Sequence, residues 1–196
     1  MLTIGLTGDV GAGKSTLCSV WREMGAAVFD ADTVARDMWS LRSVRSCAAR
    51  RWGKGFFKGE KKEVFAKIAN IIFNDEHEYE FASKLLHRHT IEELERMVKN
   101  SSGWVVVEIP LLFECGVPPW IDKIVFASAP TEKRVQRNAK RSWNMEEISR
   151  RESKLLPREE KIKRADYVLE NLGTEDEWRA KGRALGDTFL RMAKAG

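Results

Sequence analysis

Gly8-Asp9-Val10-Gly11-Ala12-Gly13-Lys14-Ser15-Thr16 decides how this chain is read. The stretch fits G-x-x-x-x-G-K-[S/T]. The apolar run Leu2-Thr3-Ile4-Gly5-Leu6 before it predicts a buried strand, and Leu17-Cys18-Ser19-Val20-Trp21 after it predicts a helix. Glycines let consecutive backbone N–H groups turn inward around phosphate oxygens, and the start of the helix adds the positive end of its dipole. Gly8, Gly11, Ala12, Gly13, Lys14, Ser15 and Thr16 are therefore candidates for holding the phosphates of a nucleotide. Lys14 can reach the β- and γ-phosphates, and the Ser15 hydroxyl can ligate Mg²⁺.

Working outward, Gly25-Ala26-Ala27-Val28-Phe29 predicts a second strand that ends in Asp30-Ala31-Asp32, followed by a helix through Val34 and Met38. Carboxylates at the C-terminal end of a parallel strand face the ligand crevice. Asp30 or Asp32 can thus serve as a base for a hydroxyl nucleophile or orient the waters of Mg²⁺, while either can instead cap the helix. Gly103-Trp104-Val105-Val106-Val107-Glu108-Ile109-Pro110 predicts a fully buried strand with Glu108 at its tip, a second candidate carboxylate for Mg²⁺. Lys123-Ile124-Val125-Phe126-Ala127 and Ala165-Asp166-Tyr167-Val168-Leu169-Glu170-Asn171 predict a fourth and a fifth strand. A final amphipathic helix spans about Thr174 to Ala193, with Trp178, Leu185, Phe189 and Met192 as its inward stripe.

Strands alternating with helices predict an α/β fold of the P-loop NTPase type: a parallel five-stranded sheet flanked by helices, in one domain over 1–196. The core takes in about 1–40, 101–130 and 165–196. Residues about 41–100 form a helical insertion of the kind that holds an acceptor substrate, with His87-Arg88-His89 within it. Residues about 131–164 are dense in charge. Arg134, Arg137 and Arg141 recur at spacings that put them on one helical face, which suits a lid closing cations over a transferring phosphoryl group.

The chain has 196 residues, 43% hydrophobic and 32% charged, as in ordinary globular proteins. No apolar run approaches the ~20 residues of a membrane span, and the first strand follows Met1 without a leader-like segment. Cys18, Cys47 and Cys115 lack metal-ligand spacing and are expected as free thiols in the cytoplasm. A net charge of +5 suits an anionic partner. The basic clusters lack the aromatic interleaving of a single-strand nucleic-acid groove, so small phosphorylated ligands are expected, with neither nucleic acid nor membrane as partner. The expected state is a monomer or a weak homo-oligomer.

Four blocks together resemble the dephospho-CoA kinase family along nearly the whole chain. They are Ile4-Gly5-Leu6-Thr7-Gly8 through Thr16, Asp30-Ala31-Asp32-Thr33-Val34-Ala35-Arg36, Glu108-Ile109-Pro110-Leu111-Leu112-Phe113-Glu114, and Ala165 through Asn171. The resemblance implies transfer of the ATP γ-phosphoryl group to the 3′-hydroxyl of the dephospho-CoA ribose, the last step of coenzyme A synthesis, with ATP and Mg²⁺. It implies Asp32 as catalytic base, Arg36, His87 and Leu112 at the acceptor, Arg137 and Asn171 at the nucleotide, and Arg141 as a charge-stabilising cation. The chain departs from the family pattern at Glu108, at Arg88 where the family has proline, and at Arg134 and near Lys154 where it has glutamines. It also departs around Phe65, where an L-D-R signature is absent. The alternatives are another small-molecule or nucleoside monophosphate kinase, or a P-loop nucleotide-binding switch that needs no acceptor base.

Overall fold

The computed structural model describes residues 1–138, 144–153 and 155–195. Arg141 and Lys154, both singled out in the sequence, lie outside the described residues. The described residues divide into two compact units, Met1–Asp30 with Met97–Gly196, and Ala31–Arg96.

The first unit is built on a five-stranded parallel sheet in the order β2-β3-β1-β4-β5. Its strands are β1 (Leu2–Gly8), β2 (Ala27–Asp30), β3 (Trp104–Glu108), β4 (Lys123–Ser128) and β5 (Tyr167–Glu170). The central strands are mostly apolar, with Thr3, Thr7 and Ser128 as buried polar exceptions. Ile4, Leu6, Val105, Val106, Val107 and Val125 are wholly buried, as a parallel sheet with helices on both faces requires. The register matters for chemistry. Pairing of β2 with β3 sets Asp30 directly beside Glu108, so two carboxylates stand side by side at the C-terminal edge.

Helix α1 (Lys14–Glu23) starts directly from the phosphate loop, and the long helix α9 (Glu175–Ala195) packs on it. Their close approach depends on two α9 glycines. A Cβ at Gly182 would come within 2.9 Å of the Leu17 side chain, and one at Gly186 within 2.7 Å of the Met24 sulfur. The Trp21 indole N–H donates to the Gly182 carbonyl at 2.8 Å, so a buried polar atom is satisfied across the same contact. Trp178 and Phe189 are buried in this core, with Leu185 and Met192 packed at its edge, as the predicted stripe requires. Three shorter helices follow β4: α6 (Thr131–Asn138), α7 (Met145–Glu152) and α8 (Arg158–Arg164).

The second unit is entirely helical among the described residues. It takes in α2 (Ala31–Met38), which the sequence assigns to the core, then α3 (Arg42–Trp52), α4 (Lys61–Asn74) and most of α5 (Glu76–Lys99). Its own core is aromatic. Trp39, Val44, Ala48, Val64, Ile68 and Ala82 are buried, and Trp52 stacks against Phe56 and Phe81 with centroids 4.9 and 5.8 Å away. No described helix is long and apolar enough to cross a membrane.

Candidate active site

The phosphate loop closes at the end of β1. Gly8 has φ +143°, and a Cβ there would meet the Ala127 carbonyl oxygen of β4 at 2.0 Å, so only glycine fits. The Asp9 N–H donates to the same carbonyl at 2.9 Å. Gly13 caps α1 in the left-handed region at φ 98°, ψ 28°.

The loop holds its shape through its carbonyls. Arg137 donates to the Gly11 oxygen at 3.2 Å, Asn171 Nδ2 to the Ala12 oxygen at 2.9 Å, and the Trp178 indole to the Gly13 oxygen at 3.0 Å. Three successive peptide oxygens are thereby engaged by side chains from α6, the end of β5 and α9. Arg137 also donates to Asn171 Oδ1 at 3.0 Å, which joins two of these side chains and orients the buried amide. With their oxygens bound, these peptide units are held in the orientation that an anion-binding loop needs. Lys14 curls over the loop and donates to the Gly8 and Asp9 carbonyls at 3.2 and 3.1 Å.

These groups line a cleft of about 530 Å³ together with Ser15, Thr16, Glu108 and Glu175. Of the sequence-derived nucleotide residues, Gly11, Gly13, Lys14, Ser15, Thr16, Arg137 and Asn171 line it. The Cys18 thiol, buried on the first turns of α1, donates to Glu108 Oε2 at 3.4 Å. Burial, with the Glu108 charge added, pushes its pKa far above the usual thiol range, so Cys18 stays a neutral hydrogen-bond donor. Glu108 and Ser15 face one cavity, and among the described residues no group of three or more His, Cys, Asp or Glu could enclose a metal alone. A hydroxyl with a carboxylate fits a cation that draws its other ligands from phosphate and water, as Mg²⁺ does.

Around α6, charge is used for structure as well as for the site. Arg134 was expected to share a lid face with Arg137. It is instead almost wholly buried and pairs with Glu152 of α7, while also donating to the Thr131 hydroxyl at 3.2 Å. Only Arg137 of the two lines the cleft. Lys161 of α8 pairs with Glu114 at 2.5 Å, and Glu114 also accepts from the Leu156 N–H. Leu112 was expected at the acceptor. Its side chain is fully buried, 3.1 Å from where a Cβ on Gly5 would lie, so it supports the turn after β3 and offers a ligand no surface.

In the helical unit, Asp32 is exposed in the first turn of α2, with Arg36 one turn further on. Arg36 lines a cavity of about 210 Å³ whose floor is Trp39, Val64, Phe65 and Ile68 and whose rim carries Arg45 and Lys61. Arg45 lies over the Phe57 ring at 5.3 Å and Lys61 over Phe65 at 5.8 Å. Among the described residues none of these three cations forms an ion pair with a carboxylate, and Arg45 Nε is buried without a hydrogen-bond partner. Phe65 is thus a wall of the cavity, where the sequence showed only a departure. His87 is exposed on α5. Sequence reasoning missed Arg45, Lys61 and the indole N–H of Trp178. The first two lie within the helical insertion and the third in the inward stripe of the last helix, and no local pattern marks them otherwise.

The family model for dephospho-CoA kinase matches residues 2–177. The chain belongs to the dephospho-CoA kinase family. A dephospho-CoA kinase of Aquifex aeolicus is 37% identical over 180 residues, covering 90% of this chain and 92% of that one. The crystal structure of TT1252 from Thermus thermophilus superposes with a TM-score of 0.73 at 32% identity, covering 95% of this chain and 97% of that one. A dephospho-CoA kinase from Campylobacter jejuni, at 21% identity and TM-score 0.64 over 95% and 96% of the two chains, shares the fold. As a family member the chain is an ATP-dependent kinase, a transferase.

Proposed function

We propose that the chain transfers the γ-phosphoryl group of ATP to the 3′-hydroxyl of the ribose of dephospho-CoA, in the final step of coenzyme A synthesis. The observation that carries this reading is a phosphate loop pinned by its carbonyls, with Lys14, Ser15, Glu108, Arg137 and Asn171 around one cleft, in a chain of this family. ATP enters with its β- and γ-phosphates on the loop N–H groups, and Lys14 exchanges its two carbonyl acceptors for phosphate oxygens. Ser15 and Glu108 would hold Mg²⁺, which when bound would supply positive charge against the transferring phosphates. The Cys18 thiol holds the Glu108 carboxylate in place.

Asp32 accepts the proton of the acceptor hydroxyl, and the transfer proceeds in line, with positioning and electrostatics supplying most of the rate. Arg137, with Arg141 from the segment outside the described residues, stabilises the charge that develops on the phosphoryl oxygens. Arg36 binds the acceptor, joined by Arg45 and Lys61; these cations, without ion-pair partners among the described residues, stand over a floor of aromatic and aliphatic side chains that suits a phosphate ester with an apolar portion. His87 adds a polar contact to the acceptor. The partners are small molecules, and the three free thiols fit the cytoplasm.

The test is phosphorylation of dephospho-CoA by the purified chain with Mg²⁺-ATP, read by mass, beside a panel of nucleoside monophosphates and a control without acceptor. A mass gain of one phosphoryl group on dephospho-CoA alone is expected. Preferential phosphorylation of a nucleoside monophosphate would overturn the acceptor, and acceptor-independent hydrolysis at a comparable rate would favour a nucleotide switch.

A further inference from the structure

Asp9 puts a negative charge inside the loop that has to receive a polyphosphate. Its backbone is central to that loop: its carbonyl accepts from the Ala12 N–H at 3.2 Å and from Lys14 Nζ at 3.1 Å. Its carboxylate is 5% exposed and turned toward β4 and α8. There Oδ2 accepts from Arg158 Nε at 3.1 Å and from the Ala129 N–H at 3.4 Å. Arg158 opens α8, the helix that leads from the charged segment back to β5, and its Nη2 also donates to the hydroxyl of Ser128, itself buried at the end of β4. Neither Asp9 nor Arg158 is among the described residues that line the cleft.

We propose that Arg158 is a positioning residue for the phosphoryl donor, acting through Asp9. By pairing with the carboxylate it cancels a charge that would repel the phosphates of ATP, and it keeps that side chain on the rear of the loop. By reaching Ser128 as well, it fixes the start of α8 to the end of β4, so the return from the lid is tied to the loop. A buried carboxylate whose only cation is removed is strongly unfavourable, whereas loss of both charges together leaves a neutral, hydrogen-bonded site. That asymmetry separates action through Asp9 from direct contact with phosphate.

The inference rests on the assignment of Gly8 to Thr16 as the donor site, and ATP binding by the unaltered chain checks that assignment first. The experiment is a double-mutant cycle on the full chain, reading ATP affinity by calorimetry and KM for each substrate by steady-state kinetics. Arg158→Gln is expected to weaken ATP binding by roughly tenfold to a hundredfold, less than a fully buried uncompensated charge would cost because the Arg158 site is partly open to solvent, while KM for the acceptor changes far less. Asp9→Asn alone, which leaves the Arg158 cation facing a neutral amide, is expected to lose far less ATP affinity than Arg158→Gln. Asp9→Asn with Arg158→Gln is expected to recover ATP affinity to within a few fold of it. If Arg158→Gln does not fold, the double variant still must fold and bind ATP. A double variant that binds as poorly as Arg158→Gln would overturn the proposal and make Arg158 a direct phosphate ligand. Unchanged binding in Arg158→Gln would also overturn it. Failure of the unaltered chain to bind ATP would instead defeat the donor-site assignment.

Discussion

Trp178 does two things with one side chain: its ring is buried in the core, and its indole N–H holds the Gly13 carbonyl at 3.0 Å, where the loop becomes α1. Trp178→Phe keeps most of the packing and removes the donor. It is expected to weaken ATP binding by about three- to tenfold, in line with one net hydrogen bond, while lowering the melting temperature by only a few degrees. Calorimetric ATP titration beside a thermal melt checks both. Asp32 poses a different question, because it stands in the first turn of α2 and the role proposed for it is proton transfer. Asp32→Asn is expected to lower kcat by about 10²–10⁴ with ATP affinity unchanged, the usual share of general-base catalysis. Turnover equal to that of the unaltered enzyme would remove Asp32 from the mechanism.

Helices α3 and α5 are joined at one polar point on an aromatic cluster. Glu78 of α5 accepts from Arg51 at 2.7 Å and from the Trp52 indole at 2.7 Å, and Trp52 in turn packs on Phe56 and Phe81. Arg51 above all, with Trp52, holds the Glu78 carboxyl below the usual carboxylate range. A carboxyl whose folded pKa is depressed contributes stability in full above its unfolded value near ~4.3, and loses it as pH falls through the lower folded value. Glu78→Gln is therefore expected to be less stable than the unaltered chain at neutral pH. The two should converge in acid, once pH has dropped below the folded pKa. Melting temperatures of both from pH 7 to about pH 2.5 would show it, and a constant gap over that range would contradict the assignment.

In the whole molecule, donor binding and folding of the sheet unit share the same contacts, since Arg137, Asn171 and Trp178 serve both the loop and the structure around it. A ligand that binds only the folded state adds about 2.7 kcal/mol at a concentration one hundred times its dissociation constant. Mg²⁺-ATP at that level is expected to raise the melting temperature by several degrees. Lys14→Ala, which removes no core contact, is expected to fold normally and to show little of this rise at the same nucleotide concentration. An undiminished shift in that variant would move the donor site away from the loop.

The P-loop pattern, the five strands and the helical character of 41–100 were legible in the chain, because each depends on residues adjacent in sequence: glycines where backbone must turn, apolar runs where a sheet is covered twice, and apolar residues at helical spacing. The Glu108 tip of β3 was legible for the same reason. Other features required distant segments to meet. The donors to the Gly11, Ala12 and Gly13 carbonyls lie 126, 159 and 165 residues away. Arg134 proved to be a buried partner of Glu152 because α7 folds against α6, which helical periodicity within α6 does not reveal. Asp9 read as one of the unspecified positions of a loop until α8 brought Arg158 to it. Local chemistry decides which backbone can cradle a phosphate. Packing decides what fills the low-dielectric space behind that backbone, and so which of its charges are cancelled.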